Sequence, residues 1–227
     1  MAIPEPAARL PDGDFLTRAF VVPFAVFLGF LAVSQLWEGV WADARFAVYP
    51  AQTVACGGML WHYRKAYTPW TTQGFAAAVG TGLIVLGVWV APQFLFPNRT
   101  DGFDPTRLSA TPVLQGLTVA FRFLRLTVVV PLLEEGFWRG FLLRRLIRTD
   151  FWTVPFGSFT WSSCGITAVL FAAEHQPADW PAGLLAGLAY NGVAYRTRTL
   201  SACVAAHAVT NLGLGLYVCA TRQWGFW

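Results

Sequence analysis

A chain of 227 residues that is 56% hydrophobic and only 12% charged cannot cover a water-facing surface, because soluble domains carry about 25% charged residues. Its mean hydropathy of +0.49 points to a membrane. The net charge of +4 arises from basic residues scattered between apolar runs, the pattern of topology-setting loops, which argues against a nucleic-acid partner.

Residues 1–18 form a proline-containing tail that lacks the basic start and small-residue cleavage site of a secretory signal. The apolar run after it, 19–37, reads as a retained first span. Crossing a bilayer takes about 17 to 25 apolar residues, and the sequence offers further runs at 46–61, 74–96, 111–147, 160–175, 181–195 and 200–220. The fourth is long and contains Pro131, so a bend or strong tilt is expected there. The fifth and sixth are short and are joined by Gln176-Pro177-Ala178-Asp179-Trp180-Pro181, which is poor helix material. Irregular backbone at membrane depth is tolerated only against protein or a wet cavity. The expected fold is therefore all-α, a polytopic transmembrane bundle of about seven spans around a polar cavity. Residues 1–227 read as a single integral-membrane domain.

Arg64 and Lys65 follow the second run, Arg144, Arg145 and Arg148 the fourth, and Arg196 and Arg198 the sixth. Together with Arg9 and Arg18 they fall on one side if the N-terminus is cytoplasmic. Glu38, Asp43, Asp101, Asp104 and Asp179 then lie opposite, with Arg45, Arg99 and Arg107 as exceptions. A bacterial inner membrane is the expected location. Cys56, Cys164, Cys203 and Cys219 stand singly, with no CxxC. They are expected as small apolar core residues, neither disulfide-bonded nor nucleophilic.

Ionisable side chains inside apolar spans cost several kcal/mol and by default face the interior to do work. Glu134, Glu135 and Arg139 lie in the fourth run, Glu174 and His175 end the fifth, and His207 and Asn211 lie in the last. Counting about 1.5 Å per residue, Glu134 is about 15 Å in from Arg144, His175 roughly 20 Å in from Trp161, and His207 about 12 Å in from Thr199. Three segments distant in sequence thus deliver polar groups to one slab of the membrane. Glu135 and Arg139, four apart, share a helix face and suit an ion pair, while Glu134 points about 100° away toward another helix. Arg122 and Arg125 are expected to snorkel or to pair with acids such as Glu38. Glu174 reads as a structural or pocket-lining residue, and His62 as an interface residue.

The EExxxR of Glu134, Glu135 and Arg139, the FxxxH of Phe171 and His175, and the HxxxN of His207 and Asn211 occur in that order. This set resembles the CAAX-protease and bacteriocin-processing family of intramembrane endopeptidases, with residues 113–220 similar to its protease core. The family is type II CAAX prenyl endopeptidase-like, and the Pro-Leu-Leu-Glu-Glu approach and compact length are similar to its bacterial CAAX prenyl protease-related branch. The resemblance implies Glu134 as general base, helped by His175, with water between them. His207 and Asn211 then stabilise the oxyanion, while Glu135, Arg139 and Phe171 support. It implies glutamic chemistry without a cofactor. Zinc held by Glu134, His175 and His207 is the alternative.

The implied partner is a membrane-associated or lipidated protein, or an exported peptide, met in the lipid bilayer. A catalytically silent scaffold binding a peptide or lipidated partner is the second reading. A small proton-coupled transporter is the third, disfavoured because no internal repeat is visible. Oligomeric state is not legible in the sequence.

Overall fold

A computed structural model of the chain describes residues 12–38, 44–67, 69–94 and 102–227. Arg9, Asp43, Arg99, Asp101, the side chain of Glu38 and most of the 1–18 tail lie outside the described residues. Every regular element among the described residues is helical. Seven helices make the bundle: α1 Gly13–Glu38, α2 Ala44–His62, α3 Phe75–Val90, α4 Pro112–Arg145, α5 Trp161–Ala173, α6 Trp180–Thr197 and α7 Leu200–Thr221.

Three of these, Gly13–Trp37 within α1, α4 and α7, are long and apolar enough to cross a membrane, and α3 and α5 are shorter apolar helices. The outer faces carry large apolar side chains, with Trp161 84% exposed, Val113 78% and Ile84 70%. Such residues face lipid at low cost and would be aggregation-prone in water. The protein is an integral membrane protein built as an all-α bundle.

Local chemistry fixes the helix ends around the centre. Thr160 caps α5 by accepting from the Ser163 amide at 3.1 Å, and Thr199 caps α7 by accepting from the Ala202 amide at 3.3 Å. Arg198, at φ 55°, ends α6 in the left-handed conformation, so α6 reverses into α7 within two residues. Gly183 and Gly187 let α6 approach α5 closely. A Cβ on either would stand 3.1 Å from the Cα of Ala172 or of Ala168 respectively, the small-residue contact that membrane helices favour.

α4 answers its length and its proline with two π-helical turns, Arg125–Val129 and Gly136–Leu142. Thirty-four residues would span about 51 Å as plain α-helix, well beyond a hydrocarbon core of about 30 Å. In the first turn the Val130 amide reaches back five residues to the Arg125 carbonyl. Pro131 has no N–H to give the next carbonyl in that pattern, Leu126. The Asn211 Nδ2 donates to that carbonyl instead, at 2.9 Å. The turn before Pro131 is thus π-helical and stitched to α7 by an amide.

The expectation that Arg122 and Arg125 snorkel is corrected, while their pairing with Glu38 lies outside the described residues. Neither snorkels: they are 4% and 6% exposed. Arg122 sits over the rings of Tyr49, Phe103 and Trp227 at 4.6, 5.4 and 5.4 Å. Arg125 donates through Nε to Gln52 Oε1 at 2.6 Å and faces Tyr49 and Phe27. Aromatic faces are a recognised seat for a desolvated guanidinium. The four cysteines are free, and Cys56 and Cys203 are buried as expected, whereas Cys219 is exposed.

Candidate active site

The polar residues of α4 and α7 converge on one carboxylate oxygen. Glu135 Oε1 accepts from Arg139 Nη1 at 3.0 Å and from His207 Nδ1 at 2.9 Å. Glu135 and Arg139 are fully buried and His207 is 6% exposed. With its Nδ1 committed to Glu135, the His207 ring turns Nε2 toward Glu134, 4.0 Å from Oε2. That is about the separation of two atoms sharing one water as hydrogen-bond partner. Glu134 is itself 6% exposed, so any water held there is shielded from bulk.

Aromatic rings hold the pair in place. Tyr190 stacks on His207 with centroids 5.2 Å apart and planes 21° apart, while Phe171 meets the same imidazole edge-on at 6.2 Å. Tyr190 donates to Thr210 Oγ1 at 2.8 Å, and Thr210 lies 2.8 Å from the Gly82 carbonyl of α3. The ring of His207 is therefore fixed from three neighbouring helices.

His175 stands further off. Its Nδ1 is 2.8 Å from the Phe171 carbonyl, and its ring packs on Phe171 and Trp89 at 5.1 and 5.2 Å. It connects to His207 through the shared Phe171 ring. Asn211 shares a face of α7 with His207, but one of its amide hydrogens is spent on the Leu126 carbonyl, leaving one to give. Among the described residues no group of three His, Cys, Asp or Glu side chains is placed to hold a metal ion.

Three participants were not legible beforehand. Trp138 donates through Nε1 to Glu174 Oε2 at 3.2 Å, which draws the Glu174 carboxylate over the face of α4 that also carries Glu134, four residues back. Tyr190 supplies the stacking ring. Asn191, fully buried, joins Arg139 to the Cys164 carbonyl at 3.1 Å on each side. Asn191 is a neutral amide in an apolar run, so charge does not single it out.

The sequence model of the type II CAAX prenyl endopeptidases described as Rce1-like matches residues 116–213. That segment, less than half of the chain, is similar to the Rce1-like family. It contains Glu134, Glu135, Arg139, Phe171, His175, His207 and Asn211, and it runs from the first turns of α4 into α7. Helices α1 to α3 lie outside the Rce1-like segment, although α3 touches it through Gly82 and Thr210. No curated protein and no solved structure matches the chain.

Proposed function

We propose that the chain is an intramembrane endopeptidase that hydrolyses a peptide bond in a membrane-associated or lipidated protein, or in an exported peptide, by glutamic chemistry. The observation that carries this reading is the approach of Glu134 Oε2 to His207 Nε2 at 4.0 Å, with both side chains more than nine-tenths buried. Glu134 takes a proton from the water between them as general base. His207, bonded through Nδ1 to Glu135, rests with a bare Nε2 facing Glu134. The proton taken from the water passes from Glu134 to that Nε2, and the imidazolium so formed donates to the developing oxyanion before giving the proton to the leaving amine. The remaining Asn211 amide hydrogen is the second donor, and such donors are typically worth about 3 to 4 kcal/mol each. His175 assists Glu134 as general base, and Glu135 and Arg139 support. The bundle lies in a bacterial inner membrane with the N-terminus cytoplasmic, because the basic clusters after α2, α4 and α6 then share one side.

The test follows cleavage of a fluorogenic lipidated peptide library by purified wild type and Glu134→Ala in detergent, with and without chelator. Cleavage that disappears in the variant and survives chelation supports the proposal. Chelator-sensitive cleavage replaces glutamic with metal chemistry, and no cleavage by either protein favours a scaffold.

A further inference from the structure

Asn191 carries a buried network that ends on the imidazole of the site. It is fully buried in mid-α6, where an amide without partners would be costly. Both ends of its side chain are used. Nδ2 donates to the Cys164 carbonyl of α5, and Oδ1 accepts from Arg139 Nε, both at 3.1 Å. Arg139 in turn donates through Nη2 to the Gly187 carbonyl at 3.0 Å. Its guanidinium is flanked by the rings of Phe171 and Tyr190 at 4.9 and 5.3 Å, so two α6 acceptors and two rings leave it one pose. That pose presents Nη1 to Glu135 Oε1.

Among the described residues Glu135 Oε2 is buried without a hydrogen-bond partner, so the carboxylate is oriented through Oε1, which meets Arg139 and His207. Because that oxygen already accepts from an arginine, it acts on His207 as an acceptor, and Nδ1 of the imidazole must carry the proton. Nε2 is then the ring nitrogen that faces Glu134. Fixing a tautomer through the opposite ring nitrogen is how carboxylates commonly prepare histidines for catalysis.

We propose that Asn191 is a positioning residue of this site, which through Arg139 and Glu135 holds His207 in the single form with its Nδ1 protonated. Its consequence for cleavage rests on the endopeptidase reading; its consequence for the ring does not. The chain has three histidines, so nitrogen NMR of histidine-labelled protein in detergent resolves His207, assigned by its loss in His207→Gln. Wild type gives one Nδ1-protonated form. Asn191→Leu gives a mixture of Nδ1- and Nε2-protonated forms and lowers kcat about 10- to 100-fold, the usual cost of losing an outer orienting partner, with KM unchanged. Asn191→Asp keeps the acceptor for Arg139 Nε and retains the single form. Arg139→Lys, which keeps the charge but cannot reach Asn191 and Gly187 together, gives the mixture independently of any folding defect at position 191. A single Nδ1-protonated form persisting in both Asn191→Leu and Arg139→Lys overturns the proposal. Loss of the single form in a protein that cleaves nothing upholds the positioning role and removes the protease reading.

Discussion

Removing the Glu135 carboxylate should unsettle the bundle before it touches any chemistry. In Glu135→Ala the fully buried guanidinium of Arg139 loses its only described counter-ion, and breaking a buried pair from one side costs about 3 to 5 kcal/mol. Arg139 still donates to Asn191 and Gly187, which places the loss at the lower end, about 3 kcal/mol. For a chain of this size each kcal/mol lowers Tm by about 2 to 4 °C, so a drop of roughly 6 to 12 °C is expected. Cys56 and Cys203 are buried, so with Cys164 and Cys219 replaced by serine a thiol-reactive fluorophore reports unfolding in detergent. Glu135→Leu combined with Arg139→Met removes both charges and should recover part of the loss, although Asn191 Oδ1 is then left without its donor. If Glu135→Ala melts within about 2 °C of wild type, the buried pair does not hold α4 together and the reasoning fails.

Asn211→Ala strands the Leu126 carbonyl and should cost about 1 to 3 kcal/mol. Adding Pro131→Ala restores a backbone N–H near that carbonyl and should return part of the lost Tm, whereas a further fall would mean that the π-turn does not depend on the amide. Gly187→Val forces a side chain against Ala168, 3.1 Å from the added Cβ. It should separate α6 from α5, lower Tm and weaken the Arg139 contact to Gly187, and an unchanged melt would refute the close packing.

The sequence makes some of this legible for a physical reason. Charges in apolar spans are expensive, so Glu134, Glu135, Arg139 and His207 could be singled out one by one, and the helical period alone pairs Glu135 with Arg139. Their assembly around one oxygen was not visible. Spacing relates residues within a helix, and the bond from His207 to Glu135 joins positions 72 apart. The same gap explains Asn211, which reads as an oxyanion donor from its motif but also serves a carbonyl stranded by Pro131. It explains Arg122 and Arg125 too, whose aromatic seats come from helices far away in the chain. Asn191 and Trp138 are neutral, and their importance appears only once α5 and α6 close on α4.

The account depends most on Glu134 and His207 acting together across the gap between α4 and α7. A double-mutant cycle on kcat/KM with Glu134→Ala, His207→Ala and the pair measures that directly. Residues that act as a unit are strongly non-additive, so the double variant is predicted to be no slower than the worse single variant. Losses that multiply would show that the two side chains work independently and would contradict the account.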